Sequence, residues 1–216
     1  MPSDIDPVCA ELGLTPTETQ TAALLRYLDL LQHWNATYNL TAVRDRAGMV
    51  TQHLADCLAL IPPLQRRAGQ GRLLDVGSGG GLPGVVIATL LPHWDVTCVD
   101  AVAKKTAFVR QVAGALRLPN LHAVHSRVEM LRAPAFDLIT SRAFASLADF
   151  TALTRQHLAP GGVWVAMKGR APEDEIASLP ADVEVFHVEP LQVPGLAAQR
   201  CLIWMQLRPN PTREPE

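Results

Sequence analysis

The stretch LLDVGSGGGLPG, Leu73 to Gly84, decides how the rest of the chain is read. An apolar run ends in an aspartate, and five glycines follow within eight residues. Gly77, Gly79 and Gly81 make G-x-G-x-G, while Gly79, Gly81 and Gly84 make G-x-G-x-x-G. Either spacing serves one physical task. A strand turns sharply into a helix and leaves its backbone bare for a ligand. So many glycines cost too much chain entropy for a plain turn.

Outward from this loop the chain alternates. Apolar runs of strand length fall at 72–76, 95–99, 121–125, 136–140, 162–167, 183–189 and 200–207. Helical stretches between them cover about 83–91, 103–116, 146–157 and 172–178. Strand–helix alternation predicts a mostly parallel sheet covered on both faces. The last two strands are too closely connected for a crossover helix, so they should pair antiparallel. A seven-stranded α/β sheet ending this way is the class I, Rossmann-like methyltransferase pattern.

Before the loop the rhythm is helical. Thr15-Pro16-Thr17-Glu18 reads as a helix start, with Thr15 as cap and Glu18 completing the box. Leu24, Leu28 and Leu31 then recur at helical spacing to about residue 36. A second helix is expected near 46–60, closed by Pro62-Pro63. The expected organisation is a helical cap over 1–68, a methyltransferase domain over 69–208 and a loose tail over 209–216.

Bulk properties set limits. The chain has 216 residues, 48% hydrophobic, with a formal charge of −2, so it is no basic nucleic-acid carpet. Four scattered cysteines and seven histidines show no metal or disulfide spacing. The acidic N-terminus does not read as a signal peptide, and no apolar run reaches the ~18 residues of a membrane span. A soluble, cytoplasmic monomer without metal or membrane partner is expected.

Asp100 ends the strand after the glycines, where an acid grips ribose hydroxyls. It suits NAD and S-adenosylmethionine alike. Asp75 separates them. A carboxylate two residues before the first glycine would repel a pyrophosphate, whereas methyltransferases carry an acid there near the methionine end of the cofactor. Adenosylmethionine is the favoured ligand, and a nicotinamide-dependent oxidoreductase remains the alternative.

Other positions carry two readings each. Arg142 and Lys168 end strands at the crevice edge, and each is either a ligand contact or a solvated cation. Val128-Glu129 lie where the adenine should pass, or form a helix start capped by Ser126 with Glu129 in the box. In WNATYNLTAVRD (34–45), Asn35 and Asn39 either bond the turn or, with Arg44, belong to a lid. His53 and Asp56, three apart, read as a structural pair. The [ND]-P-P-[YFW] tetrapeptide for methylating exocyclic amines is absent after strand 136–140, where SRAF stands. Thr97-Cys98 lies inside a strand rather than at its end. Guanine N7, which has a lone pair and no proton, suits this inventory.

Four segments then carry a resemblance: WNATYNLT (34–41), LDVGSGGGLPG (74–84), SRVE (126–129) with ITSRAFASL (139–147), and MKG (167–169) followed by PEDEI (172–176). Together they resemble the ribosomal RNA small subunit methyltransferase G family, also called glucose-inhibited division protein B. The match runs from about residue 20 to about 207. The resemblance implies methylation of guanine N7 at nucleotide 527 of 16S rRNA, with S-adenosylmethionine as donor and the rRNA or small subunit as partner. It also implies that Gly77, Leu82, Val128, Glu129 and Arg142 line the cofactor site. Gly79 and Asp100 join them from the loop and strand reading. Arg142 and Lys168 are the candidates at the reacting end, and Arg44 and Lys168 the candidates for RNA contact. A non-catalytic assembly factor that keeps the fold is a second alternative.

Overall fold

A computed structural model describes residues 3–67, 69–142, 144 and 146–209. Its centre is β1 (Gly71–Val76), flanked by β2 (Trp94–Asp100) and β4 (Phe136–Ser141). With β3 (Leu121–His125), β5 (Leu158–Lys168), β6 (Val183–Leu191) and β7 (Arg200–Leu207), the sheet order is β3-β2-β1-β4-β5-β7-β6. The first five strands are parallel, and β7 runs antiparallel between β5 and β6. Chain order reverses between β1 and β4, so ligands belong at the carboxyl ends of those strands.

Both sheet faces are buried, as a parallel sheet requires. Adjacent residues of β1 feed opposite faces, Leu73 packing into one apolar cluster and Leu74 into the other. The first cluster lies under α6 (Gly84–Leu90) and α7 (Ala103–Leu116) and continues without a break into the N-terminal helices. The second lies under α8 (Leu147–Thr154), where Trp164 Nε1 donates to Thr154 Oγ1 at 2.9 Å.

The N-terminal part holds more helix than expected. A short α1 (Asp6–Glu11) precedes α2 (Glu18–Tyr38). The start of α2 differs from the sequence expectation. Thr17, not Thr15, is the cap, and Gln20, not Glu18, closes the box. Gln20 is suited to this because its amide also donates, reaching the Thr89 carbonyl at 3.0 Å. The helix expected at 46–60 is α3 (Arg46–Met49), a π-helical turn (Val50–Ala55) and α4 (Asp56–Leu58). Pro62 and Pro63 do not close this part. They sit in the first turn of α5 (Ile61–Arg67), where a missing N–H costs nothing. A final short helix, α9 (Glu173–Ala177), follows β5. Of the expected tail, residues 210–216 lie outside the described residues.

Aromatic contacts seat α2 on the sheet's helical layer. Tyr27 and Trp34 bracket Phe108 of α7, with ring centroids 6.1 and 5.4 Å away. Phe108 and Tyr27 are fully buried as a result.

Candidate cofactor site and methyl-transfer crevice

The glycine loop leaves β1 and enters α6. Gly77 and Gly79 have φ of +66° and +58°, a region that disfavours side chains, and a Cβ on either would meet nothing within 4 Å. Open space therefore lies above both. Gly84 is needed for a different reason, because a Cβ there would stand 2.4 Å from Cys98 Sγ. Leu82 is in the loop, but the residue is buried in the first apolar cluster and, unlike the sequence expectation, does not line the cleft beside Asp100.

Asp75 is fully buried beneath the loop. Its Oδ2 accepts the Gly84 N–H at 2.9 Å, capping α6 where a pyrophosphate would otherwise bind. Burial pushes its carboxyl up to about 7. Its Oδ1 and the buried Ser78 Oγ have no hydrogen-bond partner among the described residues.

Asp100 ends β2 and already works on the loop. Oδ2 accepts the Gly79 N–H at 3.0 Å and Oδ1 the Val102 N–H at 2.8 Å. Lys105 Nζ stands 3.8 Å away. A cleft of about 240 Å³ opens beside it, lined by Gly77, Asp100, Val128, Glu129 and Phe144 among others. Val128 and Glu129 form a 3₁₀ turn, and the capping box expected from Ser126 is not made, since that hydroxyl donates to the Arg127 carbonyl. The turn is instead held from α8's end, where His157 Nε2 meets the Val128 carbonyl at 2.8 Å. Phe144, not singled out in the sequence, supplies a wall braced by Phe150 at 5.5 Å.

The structure thus brings Gly77, Asp100, Val128 and Glu129 to one cleft, and Gly79 is tied to it only through its N–H bond to Asp100. These groups fit S-adenosylmethionine. Two carboxylates suit a cationic ligand with ribose hydroxyls, Val128 and Phe144 offer an apolar slot for a purine, and the bare glycine backbone allows close approach. A diphosphate is disfavoured at the end of α6 that Asp75 occupies.

Arg142 follows β4 and crosses to the N-terminal helices. Its Nη1 lies 3.4 Å from both the Gln52 carbonyl and His53 Nδ1, and 3.6 Å from Asp56 Oδ2. His53 and Asp56 do not pair with each other as expected, because His53 Nε2 meets Thr41 Oγ1 at 2.6 Å and Asp56 Oδ1 accepts from Arg200 Nε at 2.9 Å. Burial, with the Arg142 charge beside it, holds His53 below its ordinary pKa. Arg200 lies 144 positions from Asp56, and no local signal joins them.

Lys168 is not a solvated lysine. Its Nζ contacts both carboxylate oxygens of Glu175, at 3.1 and 2.8 Å, and Glu175 also accepts the Leu147 N–H. Arg44 is bound back onto α2, donating to the Asn35 carbonyl at 3.2 Å and to Asn39 Oδ1 at 2.6 Å. Asn35 itself bonds the turn through Thr41 N–H and the Val43 carbonyl, as its turn reading expects. Among the described residues there is no group of histidine, cysteine or acidic side chains that could hold a metal, and no helix long and apolar enough to cross a membrane.

Sheet order, antiparallel β7 and a carboxylate-lined glycine loop define a class I S-adenosylmethionine-dependent methyltransferase. Solved structures share this fold. The glycopeptide N-methyltransferase MtfA complexed with S-adenosylmethionine superposes with a TM-score of 0.58 at 14% identity, over 69% of this chain and 86% of that one. TrmN from Thermus thermophilus gives a TM-score of 0.57 at 19% identity, over 73% of this chain and 53% of that one. The family model for rRNA small subunit methyltransferase G matches residues 20–203. The ribosomal RNA small subunit methyltransferase G of Acidovorax ebreus (strain TPSY) is 62% identical over 205 residues, 90% of each chain. That of Leptothrix cholodnii is 61% identical over 199 residues, 91% of each chain. The chain belongs to the ribosomal RNA small subunit methyltransferase G family, and S-adenosylmethionine is its methyl donor.

Proposed function

We propose that the chain methylates N7 of guanine 527 in 16S rRNA, within the rRNA or a small-subunit particle. Gly77 and Gly79, with Leu82 packed beneath them, bed the cofactor, Asp100 holds its ribose, and Val128-Glu129 border its adenine. Arg142 stands where cofactor and guanine meet. S-adenosylmethionine supplies an electrophilic methyl on a cationic sulfur.

The observation that carries the N7 reading is the group at the end of β4. It is Arg142, a cation held by Asp56, rather than a base or a nucleophile. The cysteines offer no alternative, since all four are buried and burial pushes the Cys57 and Cys98 thiols up. N7 needs neither. Its lone pair forms the new bond to the methyl carbon, the sulfur keeps the electron pair of the broken bond, and no proton moves. A guanidinium can donate to the neighbouring O6 and orient the ring. The chain's part is alignment of nucleophile, methyl and leaving sulfur. N7 lies in the deep, narrow major groove of paired RNA, so the guanine enters unpaired or extruded. We place the enzyme in the cytoplasm as a monomer, which sedimentation would check.

Labelled S-adenosylmethionine and small subunits from a strain lacking this gene test the reading. Borohydride–aniline cleavage cuts at 7-methylguanosine. A single cut at the expected guanine supports reaction, substrate and site together. Label without a cut overturns N7. No label despite cofactor binding, on subunits and on naked RNA, favours the assembly-factor alternative.

A further inference from the structure

Asp56 opens α4 and is 3% exposed. A carboxylate taken that far from water needs charged partners. It has two, both from distant strands. Oδ1 accepts from Arg200 Nε at 2.9 Å, at the start of β7. Oδ2 lies 3.6 Å from Arg142 Nη1, just past the end of β4. The same Nη1 also faces the Gln52 carbonyl and His53 Nδ1. The three acceptors come from Gln52, its neighbour His53, and Asp56 four and three positions further on, where the π-helical turn meets α4.

Among the described residues, every hydrogen bond of Arg142 is made by Nη1. One corner of the guanidinium is gripped, and Nε and Nη2 have no such partner. The grip is itself braced. His53 Nδ1 faces the guanidinium at 3.4 Å, and His53 Nε2 shares a 2.6 Å hydrogen bond with Thr41 Oγ1. Burial and the Arg142 charge disfavour a protonated His53, and the negative charge in the grip is that of Asp56.

We infer that Asp56 is a positioning residue of the methyl-transfer reaction, which holds the Arg142 guanidinium in the crevice while Arg200 fixes the carboxylate. The inference rests on the reading that Arg142 meets cofactor and guanine. An amide in place of the carboxylate could still accept a hydrogen bond. It could not offset two guanidiniums brought to one point, and Arg142 would turn away from the neutral turn.

A double-mutant cycle on the full-length enzyme tests this. Methylation of small subunits from the gene-deleted strain is measured for wild type, Asp56→Asn, Arg142→Ala and the double variant, with circular dichroism melts to confirm folding. Asp56→Asn should lower kcat/KM for subunits about tenfold or more, as loss of a group that orients a working side chain does. The double variant should be no slower than Arg142→Ala alone, and Asp56→Glu should regain part of the loss. Wild-type kcat/KM in Asp56→Asn, or losses that multiply in the double variant, overturn the inference. Wild-type kcat/KM in Arg142→Ala instead removes the Arg142 assignment on which it rests. If Asp56→Asn does not fold, Asp56→Glu carries the cycle. Its loss must then vanish in the Arg142→Ala background, and persistence of the loss overturns the inference.

Discussion

Asp75 and Asp100 are both acids under one loop, but their surroundings give them different work. Asp75 is sealed in, with its carboxyl pushed up to about 7 by burial. A carboxyl whose folded pKa exceeds its unfolded value binds more protons folded than unfolded between the two. Its contribution to stability therefore declines as pH rises from about 4 to 7, and the cost of ionising it is fully present above 7. Asp75→Asn should flatten the melting temperature over that window and raise it at pH 8, by up to about 4 kcal/mol of stability. Cofactor affinity should fall at the same time. Melts across pH, with calorimetry, check both outcomes. Asp100 is held in two backbone hydrogen bonds. Asp100→Ala removes the proposed ribose acceptor and unties Gly79, so cofactor affinity should drop tenfold or more, at about 1–3 kcal/mol for the lost acceptor alone. An unchanged calorimetric affinity would remove Asp100 from the site.

At the scale of elements, Lys168 and Glu175 bind the end of β5 to α9, and Glu175 in turn caps α8. The loop between them lies at the crevice edge, away from the cofactor cleft. We propose Lys168 as an RNA contact, so Lys168→Ala should leave cofactor affinity within about twofold and lower kcat/KM for RNA several-fold. Unchanged turnover at limiting RNA would take Lys168 out of the RNA contact. Strand and helix order was legible because a buried parallel strand is a short apolar run, whatever surrounds it. Helix ends were less so. Thr15 and Thr17 look alike as caps, and only the reach of Gln20 to Thr89, 69 positions away, selects the second. Pro62-Pro63 reads equally as a stop or as a first turn. The glycines and acids of the cleft stood out because their spacing is local. The grip on Arg142 was hidden, because Asp56 and Arg200 meet only through the folded sheet.

Across the whole molecule, the N-terminal helices and the methyltransferase sheet share one apolar cluster. A truncation lacking residues 1–68 should expose Phe108, Val109 and the underside of the glycine loop. Such a loss exceeds the several kcal/mol by which most domains are stable. We expect this fragment to be insoluble or molten, which near-ultraviolet circular dichroism would show. A folded, cofactor-binding fragment would contradict it.

The cap also touches the glycine loop directly. Tyr27 Oη donates to the Gly80 carbonyl at 2.9 Å, and a Cβ on Gly80 would stand 3.3 Å from Leu31. The loop cannot settle around a cofactor without α2 sensing it. Coupling of this kind is reciprocal. Amide exchange along α2 should slow when S-adenosylmethionine binds, and RNA resting on the cap should tighten the grip on the donor. On that expectation, a helix that carries no part of the reaction is the path by which one substrate would report its arrival to the other, and unchanged exchange along α2 would contradict it.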